Sequence, residues 1–594
     1  MPARSPAKSS ASAAALGFAP VVQPTAQPTG EIAGDAASAG ALARLDNAIS
    51  QLKALSIVPM LQRALADLRD EKPKTASEWA LKALNQDPRS GMAWYVLAVA
   101  REKAGDFANS LKAYRSALAL LPDQSQVAND LGRLAYRMGM KDVAEQLFRR
   151  YLEARPNAHE AANNLACTLR DLGRSGEAIE ILRRTIEARP DDAMIWNTLG
   201  TILYNEGDLE NASTFFDESL RLDPTFFKAR YNRGNARLGA GDLEGALADS
   251  EAALAQVITP DDRAMMLLAR SNIKLAMGRI AEGWDDYESR LDLALGESTQ
   301  FLVPYPRWTP ETPLEGKRLL LMAEQGLGDE VLFANMIPEI LEALGPEGKL
   351  MLAVEPRLVS LFQRSFPSAE VARHATYLVG WRKVRGAAAF EDRDDIDVWA
   401  PIASPLRRFR TRLEDFPARE AFLAADPARV RHWRAELEKA PPGRKVGVLW
   451  KSMKLENARQ RFYSPFHLWA PVLKTPGVSF VNIQYGDCTR EIEWAANELG
   501  VPFWSPPGID LKDDLDDLSA LTQALDLTIG FANATSNLAA AVGARTWMIS
   551  TPAAWTRLGT DRMPWYPSMR VFVPSAFGRW EETMACVAES LAAF

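Results

Sequence analysis

Residues 156–189 read PNAHEAANNLACTLRDLGRSGEAIEILRRTIEAR, and residues 190–223 read PDDAMIWNTLGTILYNEGDLENASTFFDESLRLD. Both open on proline, place glycine at the same point (Gly173, Gly207), and follow it with a small residue (Ala178, Ala212). Working outward, Pro88, Pro122, Pro156, Pro190 and Pro224 stand 34 apart, and so do Gly105, Gly139, Gly173, Gly207 and Gly241. A third register, Ala76, Ser110, Ala144, Ala178, Ala212 and Ala246, keeps the same step. A small residue lets two helices approach closely, glycine accepts the backbone of the turn between them, and proline ends a unit because it cannot continue a helix. Such units bury their apolar faces only against their neighbours.

The period and residue types match the tetratricopeptide repeat, two antiparallel helices per unit. Trp94 and Trp196 take the aromatic place of the first helix, and Tyr114, Phe148 and Phe216 the packing place of the second. Six units are expected from about residue 57 to 260, with a degenerate seventh, AMGRIAEGWDDYESRL, before residue 292. Asn129, Asn163 and Asn197 recur on first helices at the same step, with Asn164 and Asn232 one position on. An asparagine amide donates to one peptide carbonyl and accepts from one peptide amide, so the set predicts a groove that grips extended backbone of a protein acceptor. The alternative is solvated polar positions, or hydrogen bonds within the solenoid.

The 594 residues carry 69 Lys plus Arg against 76 Asp plus Glu, net -7, which gives no basic field for nucleic acid. No apolar run reaches the length of a membrane span. Cys167, Cys488 and Cys586 are widely separated and the four histidines are scattered, which points to a reducing, cytoplasmic setting and away from a bound metal. Residues 1–43 read as a disordered Ala/Ser/Pro tail. The helical stretch ALARLDNAISQLKALS (41–56) is expected to cap the solenoid or to pair with a partner chain.

After the repeats and the proline-rich linker PRWTPETPLEG (306–316), short apolar runs alternate with helical patterns: RLLLMA (318–323), KLMLAV (349–354), KVGVLW (445–450), VSFVNIQ (478–484), DLTIGF (526–531) and RTWMIS (545–550). That alternation predicts parallel sheets covered by helices. The expected organisation is a solenoid over 44–292, a first Rossmann-like half over 293–430 and a second over 431–594, with ligand at the carboxyl ends of the strands.

Three stretches can carry chemistry. In AEQGLGDEVLFANMIP a strand runs through Gly326 and Gly328 into a helix beside Asp329; the glycines permit close approach of a ligand, and Asp329 alternatively only caps the helix. In LTIGFANATSNLAAAVGA, Asn533, Thr535, Ser536 and Asn537 offer amides and hydroxyls at a helix start, as a phosphate requires or as an elaborate N-cap would. In VLWKSMKLENARQRF, Lys451, Lys454, Arg459 and Arg461 follow a strand end and could neutralise a leaving phosphate, or form a solvated surface. The acidic DLKDDLDD (510–517) lacks supporting ligands for a metal.

The repeats, the closing GRIAEGWDDYESRL, EQGLGDEVLFA, VGVLWKS, VSFVNIQYG and RLGTDRMPWYPSMRVF together resemble bacterial repeat-fused GT-B glycosyltransferases, in particular those that glycosylate flagellin in the cytoplasm before export. The resemblance spans about residues 57–590. It implies metal-independent transfer of a sugar from a nucleotide-sugar to a Ser or Thr hydroxyl of flagellin or another protein, with Asp329 as general base. Gly326, Gly328, Asn533, Thr535, Ser536 and Asn537 then bind the donor, supported by Lys451 and Gln484. Many relatives carry an acid and a histidine where this chain has Ala532 and Asn537, and the resemblance of the NATSN form implies a CMP-linked nonulosonic acid such as pseudaminic acid. The alternatives are an O-GlcNAc-transferase-like enzyme using UDP-GlcNAc and a non-catalytic flagellin-binding scaffold.

Overall fold

The computed structural model describes residues 35–122, 125–257, 259–296, 298–379, 382–453 and 461–594, the first sixteen of these as backbone only. Most of the N-terminal tail, Lys454 and Arg459 therefore lie outside the described residues. The chain forms two compact units, one ending at Thr198 and one spanning Leu199–Phe594.

The first unit is helical. Asp35–Arg69 pairs with Pro73–Gln86, Gly91–Lys103 with Phe107–Leu120, Ser125–Arg137 with Lys141–Ala154, and His159–Asp171 with Ser175–Ala188. The turn glycines are left-handed, Gly139 at φ 74° and Gly173 at φ 80°, a conformation that costs other residues energy. Gly132 has a different reason: a Cβ there would stand 2.8 Å from the Phe148 ring. The Asp106 side chain caps its helix by accepting from Asn109 N. Trp94 and Trp196 each donate their indole N–H to a proline carbonyl six residues back, Pro88 and Pro190, at 2.9 Å, tying each first helix to the break before it.

The second unit opens with the helix Leu209–Leu222 and continues with the helix pairs Phe227–Ala240 with Leu243–Gln256 and Pro260–Ala276 with Ile280–Tyr287. Arg230 donates to Pro224 O at 2.9 Å, taking the place of the tryptophans. The closing pair belongs to the α/β core: Trp284 is buried, donates to Arg410 O at 2.7 Å and meets Trp555 and Trp565 edge-on.

Twelve strands follow among the described residues: β1 Thr299–Phe301, β2 Arg318–Met322, β3 Lys349–Val354, β4 Glu370–Arg373, β5 Ala375–Val379, β6 Arg382–Gly386, β7 Val398–Pro401, β8 Arg444–Leu449, β9 Val478–Asn482, β10 Leu527–Phe531, β11 Thr546–Ile549 and β12 Arg570–Phe572. β4-β3-β2-β7 form one sheet and β12-β11-β10-β8-β9 another, with every neighbour parallel. The architecture is thus a helical repeat solenoid followed by an α/β region. All six apolar runs are strands; five of them, β2, β3, β8, β10 and β11, lie inside the two parallel sheets, and β9 lies at an edge. A third sheet, β1-β6-β5, is mixed. The proline-rich segment 306–316 is packed against the first sheet, with Trp308 buried and its backbone N–H donating to Trp399 O at 2.7 Å.

Candidate functional site

β2 delivers the glycine loop. Glu324, at 1 % exposure, takes two hydrogen bonds from Arg290, at 2.9 and 2.7 Å, and one from Ala403 N at 3.0 Å. Burial acts to lower the Arg290 pKa, but Glu324 and Glu288 outweigh it and hold the guanidinium above its ordinary value. Gln325 next adopts φ 61°, a strained left-handed turn for a side chain-bearing residue. Gly326 caps the helix Leu327–Phe333, and Asp329 Oδ2 accepts from Gly326 N at 3.1 Å. One residue on, buried Glu330 accepts from Glu355 N at 2.9 Å and lies 3.2 Å from His374 Nε2 and 3.8 Å from Arg385. Burial lowers the Arg385 pKa against the pull of Glu330. The loop is therefore pinned at both ends by buried carboxylates.

β10 delivers the second motif. Asn533 caps the helix Ala534–Ala541, its Oδ1 accepting from Ser536 N at 3.1 Å. Ser536 is sealed from solvent and donates its hydroxyl to Phe531 O at 2.7 Å, while Thr535 is also buried. The amides of Ala534 and Thr535 have no carbonyl within their own helix to donate to. Asn537 donates from Nδ2 to Gly328 O at 3.2 Å, and a Cβ on Gly328 would stand 3.3 Å from Ala534 Cα. The two motifs, one from each parallel sheet, thus touch. Asn533 Nδ2 and Asn537 Oδ1 are buried without a hydrogen-bond partner among the described residues.

Beside them, Gln484 is 1 % exposed and clamps the end of β8, its Oε1 accepting from Trp450 N and Lys451 N at 2.9 Å each. Lys451 pairs with Glu491. A polar cavity of about 350 Å³ opens past β9, lined by Asn482, Gln484, Tyr485, Ser505 and Lys512. Arg461 stacks on Tyr204, 3.8 Å from the ring centroid. The acidic stretch is structural: Asp510 and Asp514 accept backbone amides, Asp516 pairs with Arg364, and Asp517 with Arg429.

Two buried tyrosines that sequence reasoning did not single out feel the charge of Asp329. Burial pushes the Tyr287 phenol up, with Arg290 opposing and Asp329 adding; burial, then Asp329, push Tyr566 up. The signals available were the closing DDYESRL and the PWYP run, but neither spacing reveals that their tyrosines are buried.

The repeat asparagines differ among themselves. Asn129 and Asn163 are each 7 % exposed, with Oδ1 unpartnered among the described residues. Asn129 lines a cavity of about 490 Å³ with Gln126, Tyr151, Arg155 and His159. Asn232 instead reaches Thr201 Oγ1 at 3.4 Å, and Asn164 and Asn197 are half-buried. Among the described residues no helix is long and apolar enough to cross a membrane.

These helix pairs define a tetratricopeptide-repeat protein, and the family model of that repeat matches residues 61–125 and 163–225. Repeats of this architecture offer surfaces for other proteins. The chain belongs to the family of Protein FlbA of Caulobacter vibrioides, to which it is 52 % identical over 557 residues, 94 % of this chain and 93 % of that one. Among solved structures, a tetratricopeptide repeat protein from Parabacteroides merdae is 16 % identical, covering 39 % of this chain and 91 % of its own, with TM-score 0.36. YrrB, described as a TPR protein with an unusual peptide-binding site, is 23 % identical, covering 33 % and 98 %, with TM-score 0.25.

Proposed function

We propose that the chain is a cytoplasmic protein O-glycosyltransferase of GT-B type, transferring a nonulosonic acid such as pseudaminic acid from its CMP form to Ser or Thr of flagellin bound by the repeats, in support of motility. The observation that carries this reading is the contact of Gly328 with Ala534 and Asn537, which brings Asp329 and a helix N-terminus together at the carboxyl ends of two parallel sheets. The amides of Ala534 and Thr535, with Asn533 Nδ2, suit a phosphate that needs donors, and the positive end of the helix favours its charge. The polar cavity past β9 suits the nucleoside. Gln484 holds that cavity's wall in shape.

The reaction is a single displacement. Asp329 takes the proton of the acceptor hydroxyl, whose oxygen bonds to the anomeric carbon; the bond from that carbon to the phosphate oxygen breaks, and its electron pair leaves with CMP. Gly326 N–H fixes the direction of the carboxylate through Oδ2. Asn129 and Asn163, with acceptor oxygens to offer, suit the backbone of the acceptor.

The donor half of the reading is tested by thermal unfolding of the full chain with CMP or UDP. A nucleotide bound by the folded state at 100 times its Kd stabilises it by about 2.7 kcal/mol. CMP is expected to raise the Tm and UDP to leave it nearly unchanged. A rise with UDP alone would favour the UDP-GlcNAc alternative, and no rise with either would favour a scaffold.

A further inference from the structure

The small mixed sheet leaves one edge open. β5 pairs antiparallel with β6 alone, Ala375 opposite Gly386 and Val379 opposite Arg382, so alternate residues of β5 turn their N–H and C=O outward with no strand beside them among the described residues. Natural edges are blunted by charge, by proline or by a bulge. β5 reads ATYLV and pairs residue for residue, so it has none of these. Tyr377, Leu378 and Val379 are instead 60, 75 and 62 % exposed, and because successive side chains of a strand alternate, they put apolar surface on both faces of the edge. Leu302, directly after β1 in the same sheet, is exposed as well.

The charges around that edge are mostly of one sign. Arg373, just before β5, and Arg382 and Lys383, on β6, are exposed, and no carboxylate pairs with any of them among the described residues; Arg382 donates to Leu293 O at 2.6 Å. An acidic side chain, Glu391, stands beside Gly386, at the end of the strand pair away from Arg382 and Lys383. A second copy pairing antiparallel through β5 would set its own Arg373 near Arg382 and Lys383, and the N-terminal tail opens with Arg4 and Lys8, so like charge disfavours both as the occupant. The edge is also joined to the glycine loop: buried Arg385, on β6, donates from Nε to Thr376 Oγ1 at 2.9 Å and from Nη1 to Ala323 O at 2.5 Å, at the end of the run that leads into Gly326.

We infer that the free edge of β5 is a docking site for an extended segment of a partner protein, apolar along its length and acidic at its ends, which adds to the sheet as a further strand. Main-chain hydrogen bonds hold the segment, Tyr377, Leu378 and Val379 favour β-branched or aromatic neighbours, and Arg382 and Lys383 select carboxylates. This goes beyond the glycosyltransferase reading and does not rest on it.

The test titrates the full chain with the labelled peptides ETVTVTVE, KTVTVTVK and ETVPVTVE and measures its mass in solution by sedimentation. ETVTVTVE is expected to bind at least tenfold more tightly than KTVTVTVK, by a margin that narrows as salt rises. The proline of ETVPVTVE breaks the ladder and should weaken binding to a similar extent. Leu378→Asp puts a carboxylate on the edge and is expected to weaken ETVTVTVE at least tenfold while keeping the Tm, since the side chain it replaces already faces water. Equal binding of the acidic and lysine peptides, binding that survives Leu378→Asp, or no binding of ETVTVTVE would overturn the inference. So would a dimer of the full chain that Leu378→Asp dissociates, which would assign the edge to a second copy.

Discussion

At the scale of single residues, the most exacting demand falls on Arg290 and Glu324, which are 3 % and 1 % exposed and answer each other with two hydrogen bonds. Removing one partner leaves a buried charge without its counterpart, which costs about 3–5 kcal/mol, whereas replacing both by apolar groups of similar volume is often near neutral. Arg290→Met is therefore expected to lower the midpoint of denaturant unfolding strongly, and the Arg290→Met, Glu324→Met pair to recover most of the loss. A double variant no more stable than the single one would contradict this. The two strand-to-helix turns themselves were legible in the sequence, because glycine, asparagine and aspartate after an apolar run mark a turn and a helix cap. Their supports were not. Arg290 meets Glu324 only through the fold, and no local spacing encodes that contact. Ser536 and Gln484 show the same limit, since a hydroxyl beside a helix start reads alike whether it faces a ligand or, as here, Phe531 O.

At the scale of elements, two glycines of the first unit test two separate reasons for glycine. Gly139 sits at φ 74° with open space around its Cβ position, so Gly139→Ala is expected to cost about 1–2 kcal/mol from backbone strain alone. Gly132 is helical, and its added Cβ would stand 2.8 Å from buried Phe148, so Gly132→Ala acts by crowding, typically about 1–3 kcal/mol. A Phe148→Leu background should relieve the second and leave the first unchanged, as chemical unfolding can measure. The helix pairs and the six apolar strands were readable because their signals, a fixed 34-residue step and uninterrupted apolar runs, are strong. β1, β5 and β6 were not, because three to five residues of mixed polarity carry too little pattern to separate from loop.

At the scale of the whole molecule, the closing repeat pair and the α/β core share ionised contacts. Glu288 and Glu339 are both half-buried, which alone would raise their pKa values, yet Arg290 and Arg410 hold them below the usual carboxylate range. A depressed folded-state pKa contributes stability that is present above the unfolded value and lost as pH falls through the folded one. The Tm is therefore expected to decline from about pH 4.5 downward, and a Tm flat to pH 3 would contradict the assigned partners. The fold and the meeting of the two motifs support catalysis, and catalysis is what most needs a direct test. The measurement is the intact mass of flagellin from cells carrying the wild-type chain or Asp329→Ala. Loss of a general base costs about two to four orders of magnitude, so the account predicts flagellin heavier by whole sugar units with the wild-type chain and unmodified flagellin, still bound by the repeats, with Asp329→Ala. Equal masses in the two would contradict it.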